Sequence, residues 1–200
     1  MITKHSVKNH SVHKDEILER IERFKSYYNT KMPSDYVRQT GDRIQLDNVH
    51  SDLHVHDILK PHLDYVFTEV LHEPMEEAGQ QLKLGKFTDF DWSVHGAWFQ
   101  QFLPFSEDTP DAGGHTWHLQ PGCQFTSVYF VELPDSKYSI EILGLNDKLI
   151  NLDIKEGDII TFPSWLQRRS VPNRGTKNNT IININSSFSL TDANNNKMWF

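Results

Sequence analysis

Cysteine is nearly missing: Cys123 is the single one in 200 residues. That excludes an internal disulfide and fits a reducing compartment. No stretch approaches the ~20 apolar residues that span a bilayer, which argues against an integral membrane protein. The opening MITKHSVKNH holds no apolar segment of the secretory type, so export through a signal peptide is not expected. An excess of positive charge is missing as well. Twenty Lys and Arg stand against 27 Asp and Glu, a formal net charge of −7, whereas a general nucleic-acid binder is usually basic. No internal repeat of solenoid period is present. What the chain does have is aromatic content, 12%, which argues against a wholly disordered polypeptide. Its length suits one domain with a substantial core. Eleven histidines raise the question of a metal.

The texture changes along the chain. In HKDEILERIERFKSYY, Ile17, Leu18, Ile21, Phe24 and Tyr28 recur at three- and four-residue steps, which predicts an amphipathic helix. Residues 29–56 are polar and read as loop with room for one strand. A second helix is expected from Asp57 or Pro61, with Leu63, Val66, Phe67, Val70 and Leu71 as its stripe. Pro74 should kink or end it. Met75, Ala78 and Leu82 suit a short continuation and Gly85 a stop. From Asp91 the pattern turns to strands: DWSVHGAWFQQF, QFTSVYFVEL, YSIEIL, LINLDI, DIITF and TIININSSF, separated by turns such as GLND, KEGD and VPNRGTKNN. The chain therefore reads as one domain over 1–200, α+β but mainly β. Residues 1–88 form a mainly helical N-terminal part, 89–190 a jelly-roll core, and 191–200 a tail. The tail is polar except for its closing Met198, Trp199 and Phe200. Three large apolar groups there suggest docking onto a partner or folding back onto the domain.

Three stretches carry a resemblance: HTWHLQPGCQFTSVYFVELPD, EGDIITFPSWLQRRSVPN and TIININSSF, with WFQQF just upstream. Together they resemble the 2-oxoglutarate/Fe(II) oxygenase superfamily, especially its small members encoded by tailed phages, over about residues 90–188. The resemblance implies a double-stranded β-helix, a cupin-like jelly roll. It also implies a facial triad of two His and one carboxylate on Fe(II), with positions left open for 2-oxoglutarate and O₂. On this pattern His118 falls on the first ligand. Gln120 falls where the carboxylate or a second His belongs, and Arg168 where the distal His belongs. The basic residue that would anchor 2-oxoglutarate falls at Asn178 or Asn179, with Lys177 the nearest cation.

These departures have physical weight. An amide oxygen is a poor ligand for Fe(II). Arg is always charged and offers only donors. At ~4 Å from a divalent ion and an effective dielectric of ~20, it is repelled by roughly 8 kcal/mol, an upper bound because the side chain can swing away. Two substitutes are conceivable. His115 lies three residues before His118, and His95 sits in a neighbouring strand where the simpler reading is a core histidine bonded to backbone. His50, His54, His56 and His62 form a second cluster with no matching carboxylate pattern. Cys123 reads as a small structural residue, with no His–acid pattern beside it. Arg168, Arg169 and Lys177 make a basic patch that is either a solvated turn or a site for an anion, a co-substrate or an acidic partner. The tryptophans, without a basic groove, read as core or interface rather than as a stacking platform.

Three readings follow. One is an oxygenase-like phage protein that has lost its metal site, needs no cofactor, and serves as a structural or binding component, as in a virion. Its partners would then be proteins of a larger assembly, with oligomers allowed and neither membrane nor general nucleic acid engaged. Its place would be the host cytoplasm or the particle. The second is an active dioxygenase with atypical ligands, using Fe(II) and 2-oxoglutarate. The third is a cupin-like module that binds an organic anion through Arg168. The residues alone assign no catalytic group.

Overall fold

The computed structural model describes residues 2–31, 37–40, 43–46, 72–81, 89–102, 104, 116–191 and 197–199. The elements in chain order are β1 (Thr3–Ser6), α1 (His10–Lys31), β2 (Val37–Thr40), β3 (Arg43–Leu46), α2 (His72–Gln81), β4 (Asp89–Phe102), β5 (Phe125–Glu132), β6 (Ile140–Ile142), β7 (Asp158–Pro163), β8 (Arg168–Ser170), β9 (Asn179–Thr191) and β10 (Lys197–Trp199). A 3₁₀ turn, Ser136–Tyr138, precedes β6.

The long strands assemble into one antiparallel sheet in the order β1-β7-β5-β9-β4-β3-β2. β10 joins the end of β9, with Met198 opposite Leu190. A second, two-stranded sheet pairs β6 with β8. The large sheet is covered on both faces, which is why its central strands are apolar without strict alternation. Every residue from Phe125 to Val131 and from Asp158 to Pro163 is buried. Val128 is opposite both Ile160 and Asn183, so these three share the inner face that meets the small sheet. There Phe102, Val128, Phe130, Ile160, Phe162 and Ile181 pack against Ile140 and Ile142. The two sheets make a jelly-roll arrangement that is not closed.

Helices cover the other face. Ser127 and Thr161 meet there across the strands at 2.8 Å. The buried Met75 of α2 sets its sulfur 4.0 Å from Ser127 Oγ and 3.9 Å from Ser186 Oγ. At the start of α1, His10 Nδ1 lies 2.8 Å from the Tyr129 hydroxyl of β5.

Several expectations need correction. Among its described residues the N-terminal part is mostly helix, α1 and α2, but not helix alone. It supplies an edge strand, β1, to β7, and β3 continues the sheet from β4. Residues 29–56 contain two short strands rather than one. Pro74 is expected to kink or end a helix over 57–71, which lies outside the described residues. Pro74 itself lies in the first turn of α2, where its missing N–H has no intrahelical acceptor to lose. LINLDI forms no strand; only Leu149 pairs, in a lone bridge with Leu143. Conversely, RRS is a strand, because it has Glu141 and its neighbours to pair with. Among the described residues no helix is long and apolar enough to cross a membrane.

Candidate functional site

The site grows from a backbone pairing. His118 N–H donates to Arg168 O at 3.0 Å, and Arg168 N–H donates to His118 O at 3.0 Å, forming an isolated antiparallel bridge. Opposed residues of such a pair send their side chains to one face, as do residues i and i+2 of an extended segment. His118, Gln120 and Arg168 therefore share a face. Gln120 N–H also donates to Ser164 O at 3.2 Å, tying this segment to the turn after β7.

Arg168 is only 4% exposed. Its Nη1 donates to Asn183 Oδ1 at 2.7 Å and its Nη2 to Gln120 Oε1 at a long 3.4 Å. Asn183, fully buried on β9, passes the chain on by donating to Gln100 Oε1 at 3.0 Å. The guanidinium carbon lies 6.0 Å from the centre of the Phe162 ring. Arg168 Nε is buried with no hydrogen-bond partner. Among the described residues no carboxylate pairs with this cation. Burial pulls its pKa down to about 10, which still leaves it charged at neutral pH.

His118 Nδ1 sits 2.9 Å from Thr116 O. A carbonyl only accepts, so Nδ1 carries the proton and, in the neutral ring, the lone pair lies on Nε2. Cys123, half-buried, has its sulfur 3.6 Å from Gln120 O and 3.9 Å from Thr126 Oγ1. Burial pushes its thiol up, which is the environment of an inert cysteine.

The other sequence candidates go elsewhere. Arg169, the next residue of β8, faces away from Arg168. Its Nε meets Glu141 Oε2 at 2.5 Å, and its guanidinium stacks 4.8 Å from the Trp117 ring centre. Lys177 is exposed in the turn between β8 and β9, where its carbonyl accepts from Asn173 Nδ2 at 2.8 Å. The basic patch read from the sequence is thus divided: Arg168 points inward, Arg169 is paired, and Lys177 is in solvent. His95 does not point into the barrel. It is the extra residue where the β4–β9 register shifts between Val94 and Gly96, and its side chain is exposed. His115, His50, His54, His56 and His62 lie outside the described residues. Of the two anchor positions, Asn178 is partly exposed, while Asn179 is buried and donates to Tyr138 O at 2.7 Å. Among the described residues, no three His, Cys, Asp or Glu side chains form a group that could hold a metal ion.

Sequence reasoning missed Asn183 and Gln100. A signal existed for the first: an amide between Ile182 and Ile184 in a strand with no exposed face must find a buried partner. Which partner it finds is a matter of three-dimensional pairing.

No family model matches the sequence, and no curated protein does either. Solved structures do match in shape. The chain is similar to AviO1 from Streptomyces viridochromogenes Tue57, with a TM-score of 0.61 at 11% identity, covering 92% of this chain and 88% of that one. It is similar to a prolyl hydroxylase from Trichoplax adhaerens solved with a hypoxia inducible factor oxygen degradation domain peptide fragment, with a TM-score of 0.54 at 11% identity over 92% and 82%. A Pseudomonas putida prolyl-4-hydroxylase gives 0.50 at 11% over 92% and 90%. These likenesses establish the fold.

Proposed function

We propose that this chain, which has the fold of the 2-oxoglutarate/Fe(II) oxygenases, does not carry out their chemistry and acts as a binding or structural component of a larger assembly. The observation that carries this reading is the Arg168 guanidinium bonded to Gln120 on the face both share with His118. The resemblance assigns these three residues to the metal-ligand positions. Of them only His118 offers a ligand of the usual kind. Gln120 Oε1 is an amide oxygen that already accepts from Arg168. Arg168 has no lone pair to give and carries the same sign of charge as a metal. The donor set does not fit Fe(II). At the anchor positions Asn178 and Asn179 supply no cation, and the Asn179 amide is committed to a backbone carbonyl.

A fold outlives its chemistry when the scaffold remains useful for binding. The resemblance of residues 90–188 to small phage-encoded members supports a phage protein, with a virion component as the setting for such a role.

Anaerobic Fe(II) titration by calorimetry, with elemental analysis, tests the reading. The natural chain is expected to bind no iron up to about 1 mM, while Gln120→Asp with Arg168→His, which rebuilds the triad on the same backbone, binds at micromolar levels or better. Stoichiometric micromolar binding by the natural chain would overturn the proposal. Failure of the double variant to bind would show that the ligand positions are assigned wrongly.

A further inference from the structure

We propose that Arg168 is the counterion of a small organic carboxylate, bound inside the jelly roll without any metal; this rests on the reading of the site as metal-free. The argument starts from an imbalance. A guanidinium presents five N–H donors and one positive charge. Here the whole side chain is buried, yet its acceptors are two neutral amide oxygens, Asn183 Oδ1 at 2.7 Å and Gln120 Oε1 at 3.4 Å. Nε–H has no acceptor. Buried charges in proteins are ordinarily paired, because removing an ion from water is costly even after relaxation. The next residue, Arg169, is partly exposed and still has a carboxylate partner, Glu141 at 2.5 Å.

The shape of the deficit selects the ligand. Nε–H and the neighbouring Nη2–H lie along one edge of the guanidinium plane, spaced for the two oxygens of a carboxylate. That edge carries the unbonded Nε and the long Gln120 contact, whereas the opposite nitrogen, Nη1, is held by Asn183. Asn183 is fixed in turn by Gln100, so the guanidinium is oriented before any ligand arrives. A planar carboxylate displaces the weak Gln120 contact, gains two charge-assisted hydrogen bonds and neutralises the site. A tetrahedral phosphate fits the two-point edge but brings further oxygens and charge that the described neighbours do not answer.

The test is calorimetry and thermal melting of the full chain in EDTA, with acetate, succinate and inorganic phosphate as probes. One-to-one binding of a carboxylate probe is expected, with a melting temperature that rises with its concentration. Arg168→Lys keeps the charge but loses the planar edge, and should weaken carboxylate binding at least about tenfold. Gln120→Glu places a tethered carboxylate beside Nη2 and should weaken it similarly while the protein stays folded, so it decides the matter if the lysine variant does not fold. Absence of binding up to about 50 mM would overturn the inference. So would affinity unchanged in Gln120→Glu, or binding of phosphate alone. The iron titration separates the two proposals. Carboxylate binding that requires added Fe(II) sinks both, whereas binding of neither iron nor carboxylate sinks only this one.

Discussion

Arg168 and His118 are directly opposed across a bridge closed by two 3.0 Å backbone hydrogen bonds, and their side chains emerge on one face. The pairing fixes the position that Arg168 takes without regard to its chemistry. A histidine at the same backbone site would emerge on that face too, beside residue 120. The side chain at 168 therefore sets what this face can hold, while the backbone pairing that presents it does not depend on that side chain.

Asn183 is the principal acceptor for that buried cation. Asn183→Leu should cost about 2–4 kcal/mol, because it leaves Nη1 of a desolvated charge without its short hydrogen bond. Urea denaturation reads the difference. Asn183→Asp provides the contrast: a carboxylate at this place pairs with Arg168 and should be tolerated far better. Equal losses in the two variants would mean that the charge of Arg168 plays no part.

Arg169 occupies the neighbouring position with the opposite expectation. Its pair with Glu141 is 2.5 Å long, but both side chains are partly exposed, at 43% and 29%. Glu141→Gln should therefore change stability by no more than about 1 kcal/mol, and less at high salt. A larger loss would show that the pair, with its stack on Trp117, braces the small sheet.

The docking of α1 should depend on pH. His10 Nδ1 lies 2.8 Å from the Tyr129 hydroxyl, and its Nε2 stands 3.6 Å from Glu156 Oε1. Burial lowers its pKa below 6.5, with Glu156 opposing the shift. The neutral ring is the form that the fold prefers, so the unfolded chain binds the proton more readily. The contribution is fully present above pH 6.5 and is lost as pH falls through the lowered folded value. Melting temperatures across pH 5–8 should show this slope, and His10→Phe should remove it. A slope unchanged in that variant would assign it to another group.

Gly157 closes the turn into β7 with φ of 87°. A Cβ there would come 2.9 Å from His10 Cγ. Gly157→Ala should destabilise by about 1–3 kcal/mol, through both the left-handed backbone and the collision with α1. Pairing it with His10→Ala separates the two, since relief of the collision should recover part of the loss.

Most of the fold was legible before any coordinates. The runs around Phe125–Glu132, Asp158–Pro163 and Asn179–Thr191 are long, β-branched and aromatic, and such runs form strands whatever surrounds them. The short pieces were not. RRS carries no strand signal in its own residues and becomes one only because IEI lies beside it. LINLDI carries the signal but pairs only at its start, where Leu149 bridges Leu143. The edge strand Thr3–Ser6 pairs with residues more than 150 positions away, a separation that local patterning does not encode.

At the site the division is similar. By itself the sequence determined the β-rich jelly roll, since apolar periodicity and turn residues act locally. It also placed Gln120 two residues after His118, and Arg168 in the segment RRS. Only the tertiary structure decided that Arg168 turns inward while Arg169 turns outward, and that Asn183 is the acceptor that holds it. The reason is physical. Facing and burial are set by which strands pair and in what register, and one step along a strand reverses both.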